Sequence, residues 1–371
     1  MNTMNRAKVS AAVAAAALLV GAGASAASAA PHHASAHRGK PSASHERGQQ
    51  HQQRIPFTAA TVTANDNGSY TLSWNAPGVR QVTIKANGKV VARGGSHATV
   101  TVKHLPASDR QWFDFVPSEG GSLHLADREI ALQGTVNFRD AGGYRTSTGQ
   151  WVKMGEVYRS GALNTLTAAD VAKLNRLGIK VDFDLRTAGE RTSAPDTVPA
   201  GARYVVADVI GGDVTSAIDL SSAEKSAQYM VDGEKAMVSS ATGKAAYQQV
   251  FAGLADDDQH AVLFHCSAGK DRTGWANAAL LTALGVPRAT VMQDYLASNT
   301  YRAEANAAAL AAMPADMAAA YKPMLDVRAE YLNSGFDEVE AAFGSFENYE
   351  KKGLGLSSKE IEELKSSLLV G

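Results

Sequence analysis

The sequence predicts an α/β domain, with a central sheet flanked by helices, preceded by a small all-β sandwich-like domain. Two patterns carry that expectation. Between Ile55 and about Leu132, short β-type runs alternate with turn signals, and beyond Leu132 strand and helix patterns follow one another. Composition is the third observation. Across 371 residues, 45% apolar and 20% charged side chains suit a core large enough for two ordinary domains. A formal net charge of −1 and a pI near 6.8 leave no global basic field to hold nucleic acid or an anionic membrane surface. Any anion recognition is then local.

Residues 1–30 read as a secretory signal peptide. Arg6 and Lys8 supply positive charge, Val9 to Val20 form an alanine-rich apolar run, and Ala27-Ser28-Ala29 fits a small-x-small cleavage site. The apolar run is shorter than the ~20 residues a spanning helix needs. The expectation is a secreted, extracellular protein with no integral membrane segment after cleavage. Residues 31–54 hold five of the ten histidines among Ser, Gln, Gly and Arg. Such a stretch buries too little apolar surface to offset ordering and reads as a disordered linker.

The β-rich region spans 55–132. Its strand-type runs are Ser69 to Trp74, Gln81 to Ala86, Val90 to Ala92, Thr99 to Val102 and Trp112 to Val116. Asn87-Gly88 between two of them is a hairpin signal, because both residues tolerate positive φ in a type I′ turn. Trp74 and Trp112 read as core or inter-sheet residues. Nothing in this region clusters acids, bases or metal-type ligands.

The region 133–371 opens with a capping-box pattern, Thr167 to Asp170, before a helix whose Val171, Leu174 and Leu177 share one face and which Gly178 closes. A strand from Ile179 to Phe183 ends at Asp184-Leu185-Arg186. A helix over Ala246 to Leu254, a buried strand over Ala261 to Phe264 and a helix over Thr273 to Leu284 follow. Sites in such folds lie at the carboxyl ends of strands, where Asp184 and Cys266 both fall. Residues 214–243 carry no strand signal and read as a helical lid, with a surface insertion as the alternative. Ser357 to Glu360 caps a last helix with Ile361, Leu364 and Leu368 inward.

The stretch His265-Cys266-Ser267-Ala268-Gly269-Lys270-Asp271-Arg272-Thr273-Gly274 holds the only cysteine. A single cysteine forms no internal disulfide, so Cys266 is no staple. A loop between a buried strand and a helix N-terminus aims free N–H groups and the positive end of the helix dipole at one point. Gly269 lets successive amides converge there, and Arg272 adds a planar fork of donors. This cradle, Ser267 to Arg272, suits a tetrahedral dianion. The same field stabilises a thiolate, making Cys266 a nucleophile toward phosphorus.

Cys266-x5-Arg272-Thr273 matches the C-x5-R-[ST] signature of cysteine-based protein tyrosine phosphatases. Together with Asn137-Phe138-Arg139-Asp140, Tyr158-Arg159-Ser160 and Asp184-Leu185-Arg186, the chain resembles the bacterial secreted tyrosine and dual-specificity phosphatase family over Gln133 to Gly371. The resemblance implies a tyrosine-phosphatase-like catalytic domain that works without a cofactor or metal. It implies a phosphocysteine on Cys266, phosphate oxygens held by Arg272 and the loop amides, Thr273 bonding the departing thiolate, and His265 orienting the loop. It places the general acid at Asp184. Asp271 is the alternative acid, and a pair with Arg186 or Arg191 is the alternative role for Asp184. Asn137, Arg139, Asp140 and Arg159 are read as braces of the phosphate loop.

The expected substrate is a phosphotyrosine-containing protein. A phosphoinositide or inositol phosphate is the alternative, since Lys270 adds charge beside the cradle. A non-catalytic phospho-ligand binder and a sulfur-transfer enzyme with a lone loop cysteine are the competing classes. Neither needs the arginine–threonine ending together with a separate aspartate.

Overall fold

A computed structural model describes residues 53–212 and 219–371. The signal peptide expected at 1–30 and all but the last two residues of the linker expected at 31–54 lie outside the described residues.

Seven strands open the described chain: β1 Ala59–Ala64, β2 Tyr70–Asn75, β3 Val82–Ala86, β4 Lys89–Gly94, β5 His97–Val102, β6 Trp112–Pro117 and β7 Leu123–Ala126. They form a three-stranded sheet in the order β1-β2-β5 and a four-stranded sheet in the order β4-β3-β6-β7, with antiparallel neighbours throughout. Alternation builds the core between them. Leu72 and Trp74 on β2, Val82, Ile84 and Ala86 on β3, and Phe113 and Phe115 on β6 point inward and are buried. Phe57 and Trp74 each meet the Phe115 ring edge-on with centroids 5.9 Å apart. Asn87 and Gly88 take φ of 50° and 74° in the β3–β4 hairpin, as a type I′ turn requires. Trp74 is core, whereas Trp112 is only partly buried and stacks on His124 at 4.5 Å.

The remaining strands are β8 Arg139–Asp140, β9 Trp151–Val152, β10 Val157–Ser160, β11 Val181–Asp184, β12 Arg203–Val206, β13 Val262–His265 and β14 Leu369–Val370. Between and after them lie α1 Ala168–Leu177, α2 Ala188–Ser193, α3 Ala223–Ser239, α4 Ala241–Ala255, α5 Arg272–Ala283 and α6 Arg288–Tyr301. The chain closes with α7 Ala303–Ala311, α8 Ala315–Leu325, α9 Ala329–Phe343, α10 Phe346–Lys352 and α11 Ser358–Leu368. The central sheet runs β12-β11-β13-β10-β8, parallel except for β8 at its edge. Every residue of β10, β11 and β13 is buried, as expected of parallel strands covered on both faces.

The two faces differ in chemistry. Val157, Val181, Phe183, Val262 and Phe264 join the large core with α4 and α5, while Tyr158 and Leu263 face a smaller core with Leu174 of α1. By the same alternation Asp182, Asp184 and His265 lie on the α1 side. Of the segment read as a lid, 214–218 lie outside the described residues. The rest includes α3, which packs on α8 and α9, and the first turn of α4.

The sandwich and the α/β part are tied by burial and by charge. Trp151 and Met154 sit in the sandwich core. Arg110 reaches from the sandwich to Asp140 at 2.6 Å, donates to the Asp127 carbonyl at 3.1 Å, and lies 4.3 Å above the Trp112 ring. Both side chains of this pair are buried. Truncating Arg110 to Ala leaves the Asp140 carboxylate buried without its cation, a loss of about 3 kcal/mol. Urea denaturation of Arg110→Ala checks this, and a cost under about 0.5 kcal/mol, the range of ordinary surface substitutions, contradicts it.

Candidate functional site

The stretch holding Cys266 spans the end of β13 and the start of α5, as the strand-loop-helix pattern predicts. Cys266 is 1% exposed, and the Gly269 amide donates to its sulfur at 3.3 Å. Gly269 adopts φ 67°, and a Cβ there would stand 2.4 Å from the Ser160 carbonyl oxygen. Only glycine lets the loop turn this tightly against β10.

A buried ionic frame holds the loop from outside. Asn137, itself at φ 66°, donates to the Gly269 carbonyl at 2.8 Å and the Ala268 carbonyl at 3.3 Å. Arg159 donates to the Gly269 carbonyl at 2.8 Å, and Arg302 to the Ala268 carbonyl at 3.0 Å. Arg159 also pairs with Asp294 at 2.7 Å, and Arg139 reaches the same carboxylate at 3.2 Å. Tyr144 and Asn277 donate to it as well, at 2.9 and 2.7 Å. Burial alone would raise the Asp294 carboxyl, but the two guanidinium charges and the Tyr144 hydroxyl outweigh it and hold the group well below the usual carboxylate range. Asn137 and Arg159 thus touch the loop carbonyls directly, while Arg139 reaches them only through Asn137 and Asp294.

Asp140, read as a further brace, does not reach the loop. Its carboxylate accepts from Arg110 and from the Gly142 and Gly155 amides, both at 2.7 Å. Adjacent residues on a strand point to opposite faces, so while Arg139 turns to Asp294, Asp140 turns to the sandwich.

Arg272 is held by a residue the sequence reading passed over. Glu190 accepts from its Nη1 and Nη2 at 2.6 and 2.7 Å, and Ser267 donates to the same carboxylate. Burial would raise Glu190, but the Arg272 bonds and charge bring it down to about 2. Glu190 is itself fixed at the third position of α2 by a capping box with Thr187. The Thr187-x-x-Glu190 pattern was the visible signal. Asp294 and Asn277 had none, since their partners are 135 and 17 residues away in the chain.

Asp184, expected as the acid, does not open toward the loop. Asp184 is fully buried, with its oxygens taken by the Arg186 amide at 2.9 Å, the Arg186 guanidinium at 2.7 to 3.2 Å and the Tyr204 hydroxyl at 2.6 Å. Burial pulls it upward, but the Arg186 bonds, with further pull from His265 and Tyr204, hold it well below the ordinary range. A carboxylate buried in this way has no path to a leaving group. The ion pair with Arg186, the alternative role, is what the structure contains. Asp271, at the N-cap of α5, makes no cap bond and is partly exposed in the loop itself. Lys270, 3% exposed, points its ammonium at both Asp271 oxygens, 2.7 and 2.8 Å away. Thr273 Oγ1 is buried with no partner among the described residues.

Asp294→Asn leaves Arg139 and Arg159 buried with no anion, at a cost of about 3–5 kcal/mol. Because the Asp294 carboxyl is depressed in the fold, its contribution is present above the unfolded value of about 3.9 and fades as pH falls below it. The gap in urea midpoint between wild type and Asp294→Asn is therefore widest near pH 7 and narrows on acidification to pH 3. A gap that is constant with pH contradicts the ionic frame.

A tyrosine phosphatase family profile matches residues 130–370. Over 269 residues the chain is 34% identical to a Cupriavidus necator protein bearing a tyrosine-protein phosphatase name, covering 69% of this chain and 94% of that one. It is 34% identical over 224 residues to a tyrosine-protein phosphatase of Nostoc commune, covering 57% and 73%. It is 27% identical over 285 residues to the triple specificity protein phosphatase PtpB of Mycobacterium tuberculosis, covering 66% and 100%.

Proposed function

Because the chain belongs to the tyrosine phosphatase family, we propose that it removes phosphate from phosphotyrosine in proteins through a phosphocysteine on Cys266. The observation that carries this reading is the buried thiol under the Gly269 amide, in a loop whose Ala268 and Gly269 carbonyls are drawn outward by Asn137, Arg159 and Arg302. Carbonyls held outside turn their amides toward the centre, where a phosphate dianion is met by N–H groups and by Arg272.

In the first step the Cys266 thiolate forms a bond to phosphorus as the phosphorus–oxygen bond to tyrosine breaks. The amides and the Arg272 guanidinium, its plane set by Glu190, hold the charge of the equatorial oxygens. Asp271 gives its proton to the departing phenoxide. In the second step a water gives a proton of its own to Asp271 as its oxygen bonds to phosphorus and the sulfur–phosphorus bond breaks. Thr273, with its unpartnered hydroxyl, donates to the sulfur as it leaves. Buried Lys270 positions Asp271 at 2.7 Å, so its charge is spent inside the loop. That pairing favours phosphotyrosine over the phosphoinositide reading, in which Lys270 would meet a second phosphate. Arg6, Lys8, the Val9–Val20 run and Ala27-Ser28-Ala29 support export, with 55–132 a sandwich module and 133–371 the catalytic one.

The test is phosphate release from phosphotyrosine and phosphoserine peptides and a phosphoinositide. Wild type turns over the phosphotyrosine peptide fastest, and Cys266→Ser shows no turnover. Measurable turnover by Cys266→Ser overturns the covalent route, and a faster phosphoinositide reaction overturns the substrate assignment. Asp271→Asn lowers kcat by roughly 10²–10⁴-fold on an ester with a poor leaving group, and less on an activated aryl phosphate. Asp184→Asn loses stability without acquiring that leaving-group dependence, and the reverse result returns the acid to Asp184.

A further inference from the structure

The α1 face of the sheet carries a group of ionisable side chains that the reaction above does not use. His265 ends β13, immediately before Cys266, and its ring is fully buried. Its Nε2 lies 3.3 Å from Asp196 Oδ2, 3.5 Å from Asp182 Oδ1 and 4.0 Å from Asp184 Oδ1. Neither ring nitrogen makes a well-aligned hydrogen bond among the described residues, and neither oxygen of Asp182 has a partner there. Arg186 joins Asp184 and Asp196, Tyr204 donates to Asp184, and the Leu163 amide donates to Asp196 Oδ1 at 2.9 Å. On the loop side, the Cys266 backbone and the Arg272 charge face the same ring.

Charge counting shows what this enclosure demands. Three aspartates against one guanidinium leave two negative charges buried away from bulk solvent, and carboxylates in that position keep protons instead. Asp184 is committed as an anion by Arg186, so the retained protons fall on Asp182 and Asp196. Burial, with the Asp196 and Asp184 charges adding, pushes Asp182 far up. Burial, opposed by Arg186 and aided by Asp184, pushes Asp196 up to about 7. Burial, against the pull of Asp184, brings His265 down to about 4, so the ring is neutral at working pH.

We propose that Asp196 is a positioning residue for the nucleophile, deciding which nitrogen of His265 bears the proton and so what the ring presents to the Cys266 backbone. The proposal rests on Cys266 being the nucleophile. When Asp196 holds its proton, its hydroxyl donates to Nε2, and the ring proton sits on Nδ1, facing Cys266. When Asp196 gives up that proton to solvent, the carboxylate accepts from Nε2–H, the ring proton moves from Nδ1 to Nε2, and a bare lone pair faces the loop. The ring stays neutral throughout, so the change is one of tautomer and of one interior charge.

The experiment is nitrogen NMR of the full chain with ¹⁵N-labelled imidazoles, titrated from pH 5.5 to 8.5, with the His265 signals identified by their loss in His265→Gln. In wild type the two nitrogens exchange their protonated and unprotonated shifts with a midpoint near 7. Asp196→Asn, which keeps the acceptor for Leu163, holds one tautomer throughout. Asp182→Asn keeps the exchange. A single tautomer in wild type, persistence of the exchange in folded Asp196→Asn, or its loss in Asp182→Asn overturns the assignment. Where Asp196→Asn is not recovered folded, the wild-type and Asp182→Asn titrations still decide. The readout is independent of turnover, so a dead wild-type enzyme with an intact exchange refutes the phosphatase mechanism, and with it the role toward a nucleophile, while leaving Asp196 in control of the His265 tautomer.

Discussion

The whole site hangs on one buried carboxylate. Asp294, from α6, pairs with both Arg139 and Arg159, which come from neighbouring strands of the sheet. Arg159 in turn holds the Gly269 carbonyl, and the Arg139 guanidinium bonds Asn137, which holds the Gly269 and Ala268 carbonyls. Two guanidinium groups this deep would be intolerable without an anion, and one carboxylate at their meeting point makes them rigid struts. The Cys266 loop is therefore braced from outside at its Ala268 and Gly269 carbonyls. Preorganised donors cost nothing to orient during reaction, which is where such a loop gains its power.

Around that frame each side chain of the loop has one neighbour that fixes it. Glu190 sets the Arg272 fork, Lys270 sets Asp271, and Ser160 leaves room only for a glycine at 269. The sandwich takes part through Asp140, the residue after Arg139, which Arg110 holds in place. Strand alternation thus sends the two side chains of β8 opposite ways, Arg139 to Asp294 and Asp140 to Arg110. Among the described residues no helix is long and apolar enough to cross a membrane.

Much of this was legible in the sequence because it was local. The Cys266 loop, the helices at Ala168–Leu177 and Ser358–Leu368 with their capping boxes, and the Asn87-Gly88 hairpin are all short-range patterns, and each formed where the pattern lay. The roles of Asp184 and Asp140 were misplaced because sequence spacing does not reveal what a carboxylate faces. Asp184 finds Arg186 two residues on and Tyr204 on the next strand, and Asp140 finds Arg110 across a module boundary. Asp294, Asn277 and Asp196 were silent for the same reason, since burial and partner choice are tertiary facts. Strands β8 and β9, with two residues each, are too short for periodicity to register.

The central claim is a covalent bond between Cys266 and phosphorus, and trapping it is the most direct measurement. Wild-type enzyme mixed with a phosphotyrosine peptide, quenched in acid within milliseconds and digested, is read by mass spectrometry for a phosphoryl group on the peptide that spans Cys266. The account predicts that label on Cys266, absent once the substrate is exhausted and absent from Cys266→Ser. Turnover with no label on Cys266 at any quench time, or a label on another residue, contradicts it.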